Sequence, residues 1–196
     1  VSKLHFRTAL RAQGLPEPGT VSLERAVAQV GDCIGAALNT PLDMGARLPG
    51  EAVRLCDIAP ERRRAEMEFH LRIAPAQTSA LFALLHAHGY QRGRSGVGAA
   101  RLNGLLTGVI DLVFEHAGRY HLVDYKTNLL PAYDAAALRE AIAAHDYDLQ
   151  YLLYTLALHR WLRAVLPGYD YDAHVGGAYY LFLRGLREGG GVHCDR

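Results

Sequence analysis

Two apolar runs separated by a short polar link constrain the fold of this chain more than any other feature. Residues 105–114 and 120–123 are rich in the β-branched and aromatic residues that favour strands. The link at residues 116–119 has the length and the glycine of a tight hairpin turn. The sequence therefore predicts an antiparallel β-hairpin at the centre of the fold.

Three charged residues stand in or beside these two strands. Asp111 lies inside the first run, where a carboxylate is costly to bury unless a cation or hydrogen bonds compensate it. Asp124 follows the second run and Lys126 comes two residues later, so on a strand both side chains would share a face. Two carboxylates and a lysine in this arrangement suit a hard divalent metal that polarises a phosphate. A surface Asp–Lys pair is the alternative, but the apolar setting of Asp111 favours the metal site.

The remaining patterns predict an α/β order of elements. Residues 65–73 alternate apolar and polar side chains, as in a half-buried strand. Residues 22–38 predict a helix with one buried apolar stripe. That stripe consists of Val27, Val30, Ile34 and Leu38. Further helices are predicted at residues 4–13, 77–88, 134–145 and 148–166, and a further strand at 178–183.

This order predicts a three-layer α/β/α sandwich on a small mixed sheet, because a helical crossover returns the chain to a later strand. We expect one domain, with residues 1–60 as a helical N-terminal segment and residues 61–196 as its core. Residues 41–60, which are rich in Gly and Pro, are predicted as a loop and as the internal boundary.

Several motifs occur in the order known from one family. Gly-x-Ile-Asp ending at Asp111, followed by Asp-Tyr-Lys at residues 124–126, resembles the signature of the PD-(D/E)xK nuclease superfamily. Gln150 and Tyr154 resemble the Gln-x-x-x-Tyr motif of its RecB-type members. Residues 64–69 and 176–185 are similar to the strands that open and follow that core. The resemblance is dense from about residue 65 to residue 185 and weak before it.

The resemblance implies a restriction-endonuclease-like core with a metal site. Asp111, Asp124 and the backbone carbonyl of Tyr125 would hold Mg²⁺, with Mn²⁺ as an alternative. Lys126 would orient or help deprotonate the attacking water and balance charge on the phosphate, whereas a purely structural lysine is the alternative.

Three other residues receive roles from the same resemblance. Glu66 would be a partner of a metal ligand or an occasional ligand itself, and a solvated strand glutamate is an equal alternative. Gln150 and Tyr154 share a helix face, and would position the region of Lys126 or contact the DNA backbone. Tyr147 and Tyr151 are interpreted as core tyrosines that pack on the sheet.

At the level of function, the resemblance implies a Mg²⁺-dependent DNA nuclease module of a RecB-type helicase–nuclease that acts in double-strand break repair and recombination. Its substrates would be single-stranded DNA and duplex ends, its partners RecC and RecD subunits, and ATP would serve only a helicase part outside this chain. The alternatives are a catalytically impaired DNA-binding module and a stand-alone RecB-like exonuclease.

RecB-type nucleases carry a further metal-binding histidine in a Gly-x-x-x-His setting before the first strand. His5 lacks that glycine context. We therefore expect this histidine to lie upstream, and the 196-residue chain to bind metal weakly and to cleave DNA slowly.

Composition adds few constraints. The formal net charge of +1 lacks the basic excess typical of nucleic-acid-binding domains. Two arginine groups are interpreted as solvated faces rather than phosphate contacts. They are Arg62, Arg63 and Arg64, and Arg92, Arg94 and Arg101. The three cysteines form no Cys-x-x-Cys pattern, which argues against a zinc or iron–sulfur site and for a reducing compartment. With no membrane-length apolar run and no leader pattern, we expect a cytoplasmic protein without a membrane partner.

Overall fold

The computed structural model describes residues 23–45, 48–90 and 101–195. The predicted helix at residues 4–13 lies outside them, as do His5, Arg92 and Arg94. The helices are α1 (Leu23–Asn39), α2 (Thr78–Ala87), α3 (Ala135–Ala144), α4 (Tyr147–Val165) and the single turn α5 (Tyr171–His174). The strands are β1 (Leu42–Asp43), β2 (Ala52–Val53), β3 (Arg63–Gln77), β4 (Arg101–His116), β5 (Arg119–Lys126), β6 (Val175–Phe182) and β7 (Val192–Asp195). Short 3₁₀ turns lie at Leu55–Asp57, Pro60–Arg62 and Leu186–Glu188.

Strands β3 to β7 form one mixed sheet in chain order. The pairs β3–β4, β4–β5 and β6–β7 are antiparallel, whereas β5 and β6 are parallel. Parallel neighbours cannot be joined by a hairpin, and here α3, α4 and α5 supply the crossover. The predicted α/β class with a mixed sheet is therefore confirmed.

Apolar side chains are buried on both faces of this sheet. One face packs against α3 and α4, and the other against the end of α1 and the segment that follows it. The first layer includes Ile110, Val113, Leu122, Leu158 and Leu162. The second includes Leu42, Leu55, Leu112, Phe114 and Val123. Because β6 is covered on both sides, its sequence is apolar throughout.

Local chemistry explains where the central elements turn and begin. Ala117 and Gly118 both adopt positive φ, 50° and 78°, as a two-residue hairpin turn of this hand requires. The Gly118 amide also donates to the Glu115 carboxylate at 2.7 Å. Asp134 caps α3 by accepting from the amides of Ala136 and Ala137, at 2.8 and 3.0 Å. These amides lower the pKa of the Asp134 carboxyl.

The N-terminal part differs from its prediction in two ways. The apolar stripe of α1 is not buried, since Val27, Val30 and Ile34 are each more than half exposed. Only the end of α1, at Ala37, reaches the core. Residues 41–60 are not a boundary loop, because they contain the β1–β2 ladder and several side chains of the second core layer. β7 was not predicted at all.

Within the described ranges, no helix combines the length and the apolar character that crossing a membrane would need. Cys33, Cys56 and Cys194 are all free thiols.

Candidate active site

The hairpin strands β4 and β5 stop pairing at the position of Asp111. Their ladder runs from His116 opposite Arg119 to Leu112 opposite Val123. One residue further, the Asp111 Oδ2 atom accepts a hydrogen bond from the Tyr125 amide at 2.9 Å. A carboxylate thus occupies the place of a strand carbonyl, which brings an anionic group to the end of the ladder.

In both β3 and β4, the side chains switch to the opposite face of the sheet at the row of Asp111. Ile110 packs on the layer of α3 and α4, but Leu112 packs on the opposite layer, although residues two apart on a regular strand share a face. In β3, Met67 and Ala65 differ in the same way. Glu66 lies between them, opposite Asp111 in the register, with a φ of 51°. Such backbone is strained for a residue with a Cβ, and strain of this kind concentrates at functional sites.

Lys126 is a buried cation that lies among compensating groups. Its side chain forms an ion pair with the Asp124 Oδ1 atom, and both residues are less than a tenth exposed. The Lys126 Nζ atom also donates to the Gln150 Oε1 atom at 2.7 Å. The ring of Tyr147 covers it, with the Nζ atom 3.9 Å from the ring centroid, and the ring of Tyr180 lies 5.2 Å away. Buried charges are tolerated where attraction and hydrogen bonds compensate them in this manner.

Gln150 connects the aspartate, the lysine and Tyr154. Its Nε2 atom donates to the Asp124 Oδ2 atom at 3.0 Å and to the Tyr154 hydroxyl at 2.8 Å, while its oxygen accepts from Lys126. Gln150 and Tyr154 lie one turn apart on α4, so they share the face that meets the sheet. A single amide side chain therefore sets the separation between the carboxylate and the ammonium.

Electrostatics favour the arrival of a cation beside Asp124. Burial raises the pKa of the Asp124 carboxyl, the Lys126 ammonium opposes that shift, and the negative charge of Asp111 adds to it. Two carboxylates that influence each other in a partly dry site would be relieved by a divalent ion, which favours their charged forms. Burial likewise raises the pKa of Tyr154, so its hydroxyl stays protonated at neutral pH.

The donor set fits a hard divalent cation. It consists of the carboxylates of Asp111 on β4 and Asp124 on β5, together with the backbone carbonyl of Tyr125 on β5. Oxygen donors of this kind suit Mg²⁺ and Mn²⁺. Mg²⁺ takes few protein ligands and keeps several waters. In the described part of the chain, no three His, Cys, Asp or Glu side chains converge as a larger metal cluster. Glu66 and Glu68 are exposed on β3.

Tyr147 has a second role that the sequence interpretation missed. It packs against the core, as predicted, but its ring also stacks on Tyr180 at 5.7 Å and covers Lys126. Its hydroxyl donates to the Asn128 Oδ1 atom at 3.1 Å, which holds the ring in place. Tyr147 precedes Gln150 by three residues, so helical spacing alone could have placed it on the same face.

Comparison with known proteins supports a nuclease origin for this arrangement. The PD-(D/E)XK nuclease superfamily matches residues 10–193. The RecBCD enzyme subunit RecB of Escherichia coli is 43% identical over 159 residues, which cover 78% of this chain and 13% of that protein. The same subunit of Haemophilus influenzae is 42% identical over 151 residues, with 74% and 12% covered. In Mycobacterium tuberculosis the identity is 46% over 99 residues, with 48% and 9% covered.

The chain thus spans about an eighth of the length of the first two of these curated relatives. Nearly the whole of it is matched by one family. This chain belongs to the PD-(D/E)XK nuclease superfamily.

Proposed function

We propose that this domain is the Mg²⁺-dependent DNA nuclease module of a RecB-type helicase–nuclease, of the exodeoxyribonuclease V type. The observation that carries the proposal is the buried network of Asp124, Lys126 and Gln150 beside Asp111. Relatives named as RecB subunits of the RecBCD enzyme support the rest. The proposal includes a role in double-strand break repair and recombination, RecC and RecD as partners, a cytoplasmic location, and ATP use confined to a helicase part outside these residues.

Asp111, Asp124 and the Tyr125 carbonyl would hold the Mg²⁺ ion, which would polarise the scissile phosphate when bound. Lys126 would orient the attacking water and stabilise negative charge on the phosphate oxygens. Gln150 keeps the lysine and Asp124 at a fixed separation, so this positioning is completed before the substrate binds. The water oxygen forms a bond to phosphorus as the bond to the 3′ oxygen breaks. The water's proton is lost and the 3′ oxygen gains one, leaving a 5′-phosphate and a 3′-hydroxyl.

The proposal is tested by incubating the purified protein with labelled single-stranded DNA and with blunt duplex, in Mg²⁺, in Mn²⁺ and in a chelator. We expect cleavage that requires the metal and ends in 5′-phosphates, however slow it is. Calorimetric titration of Mg²⁺ provides a readout that does not depend on turnover. Cleavage that persists in the chelator, or equal cleavage by a Lys126→Gln variant, would contradict the proposed site.

A further prediction concerns Tyr147 as the residue that positions Lys126. Replacing Tyr147 with Leu removes the aromatic face from the ammonium, and a desolvated cation–π contact is worth about 1–2 kcal/mol. We expect kcat to fall roughly tenfold with KM nearly unchanged. Tyr147→Phe keeps the ring and serves as the matched control, so it should retain most of the activity. An equal loss in both variants would instead assign the effect to the hydroxyl bond with Asn128.

A further inference from the structure

A cavity of about 750 Å³ lies at the other end of the sheet–helix interface. It is bounded by the start of β3, the turn end of the β4–β5 hairpin and the second half of α4. Its rim carries Arg62, Arg64, Tyr120 and Trp161. The volume is that of a site for a small molecule or a few unstacked bases, and a double helix cannot enter it. None of these four residues takes part in the proposed metal site.

Register places this cavity on the same face of the sheet as the metal site. Arg64 lies opposite Val113, which lies opposite Leu122. Val113 and Leu122 pack on the layer of α3 and α4, so their cross-strand neighbour Arg64 points to that face as well. On β5, Asp124 follows Leu122 by two residues, which separates the two rows by ~7 Å. Arg64 therefore lies one row along the sheet and two strands across from Asp124, which separates their backbones by ~12 Å.

Of the three arginines at residues 62–64, Arg64 has the guanidinium group that is open to a ligand. Arg62 pairs with Glu115 at 3.4 Å, and Arg63, which also lines this cavity, donates to the Leu55 carbonyl at 3.4 Å. Arg64 is exposed and makes no ion pair or side-chain hydrogen bond within the described ranges. The solvated face predicted for the cluster thus includes one arginine that lies at the mouth of an aromatic-lined cavity, on the same face of the sheet as the metal site.

The aromatic side of the cavity is formed by Trp161 and Tyr120, and Trp161 lies on the same face of α4 as Gln150 and Tyr154. Trp161 follows Gln150 by eleven residues, which is three helical turns or ~16 Å, so it lies on the same face of α4. Its ring meets that of Tyr120 edge-on, with centroids 6.4 Å apart and planes at 79°. Both residues are half-buried, so each keeps part of its surface open. Aromatic rings beside an arginine are the usual platform for unpaired bases and their phosphates.

We propose that this cavity is a second DNA subsite, in which Arg64 binds a phosphate of the single strand beyond the scissile bond and Trp161 and Tyr120 stack on its bases. The proposal rests on the nuclease function proposed above and names its preferred substrate as an unpaired strand. Glu61 and Glu115 also line the cavity, so its attraction for the strand is local to Arg64 rather than spread over the whole rim.

Trp161 is the chain's single tryptophan, so intrinsic fluorescence reports directly on this cavity. We expect an oligothymidylate twelve nucleotides long, titrated in a chelator to prevent cleavage, to quench the emission saturably. Arg64→Gln should weaken the binding about tenfold and reduce its salt dependence by about one counterion. Arg72→Gln, an exposed arginine further along β3, is the matched control and should bind as the unmodified protein does. Absence of quenching, or equal binding by the Arg64 variant, would overturn the proposal.

Two further comparisons separate a strand subsite from other interpretations of the cavity. Trp161→Phe should keep the affinity and Trp161→Leu should lose about tenfold, both measured with a labelled strand and with unfolding curves to verify the fold. Thymidine monophosphate should compete at least a hundredfold more weakly than the strand, and blunt duplex should quench far less. Equal competition by the mononucleotide would overturn the strand assignment. Cleavage without quenching would refute this subsite alone, whereas quenching without metal-dependent cleavage would refute the nuclease function and leave the strand subsite standing.

Discussion

Replacing Asp124 with Asn should abolish metal-dependent DNA cleavage while leaving the fold intact. The amide keeps the shape of the carboxylate, but its single oxygen can accept from only one of Lys126 and Gln150, and the substitution removes the charge that a divalent cation requires. We expect kcat/KM to fall by at least ~10³, equivalent to ~4 kcal/mol of transition-state stabilisation. Initial rates on single-stranded DNA, with Mg²⁺ binding followed by calorimetry, measure both parts of this expectation.

The stability of the Asp124→Asn variant provides the internal check. Burial and the charge of Asp111 raise the pKa of Asp124, so removing its charge relieves part of the cost of burying it, whereas the buried Lys126 ammonium loses its ion pair and keeps Gln150 and the Tyr147 ring. The unfolding temperature of the variant should therefore fall only moderately, and the folded form should remain dominant at the assay temperature. Asp57→Asn, at an exposed aspartate that pairs with Arg54 outside the site, is the matched control and should cleave normally. Full activity in the Asp124 variant would remove that residue from the metal site.

Gly176→Ala should destabilise the fold strongly, although it adds only one methyl group. A Cβ at Gly176 would overlap the Cε1 atom of the His121 ring, far inside van der Waals contact. That ring is 1% exposed and stacks on Phe114 with centroids 4.8 Å apart, so it has no room to yield. Overpacking of this kind costs about 3 kcal/mol, or roughly 10 °C in unfolding temperature for a chain of this size. Denaturant titration measures the loss.

Gly31→Ala in α1 is the matched control for that experiment. Nothing lies within 4 Å of the position that its Cβ would occupy, and its φ is not positive, so the added methyl should raise stability by up to ~1 kcal/mol. Shortening the histidine in a His121→Ala/Gly176→Ala double variant should recover part of the loss, because the clash is with that ring. A Gly176→Ala protein as stable as the unmodified one would show that β6 shifts at its irregular pairing with β5.

Much of the central fold could be predicted from the sequence because its signals are local. The hairpin has two apolar runs and a glycine turn, α3 has a capping aspartate, and both α3 and α4 have helical periodicity. The meeting of Gln150 with Asp124 and Lys126 also follows from local spacing once α4 crosses the sheet. The roles of these residues in catalysis remain predictions until the variants are measured.

Other features depend on contacts that no local pattern contains. The stripe of α1 has the spacing of a buried face, but only the end of that helix meets the core, so Val27 and Val30 are exposed. β7 has only four residues and pairs with one neighbour. A strand of this length is too short to show a clear alternation of apolar and polar side chains. Glu66 adopts a left-handed backbone where the side chains of β3 and β4 switch faces. The alternating apolar and polar pattern in the sequence predicts a regular strand position for that glutamate instead.

Lys126 obtains its partners only after the chain has folded back across the sheet. The residues of the β4–β5 hairpin are close in sequence, whereas Gln150 lies 24 residues beyond Lys126, and β6 begins later still. Such distant contacts form slowly, and synthesis delivers the earlier segments first. On a ribosome the two carboxylates would therefore emerge with the lysine still solvated and mobile. Under the proposed function, the site is complete only after α4 and β6 have packed on the hairpin, so a nascent chain would gain nuclease activity only with its crossover in place.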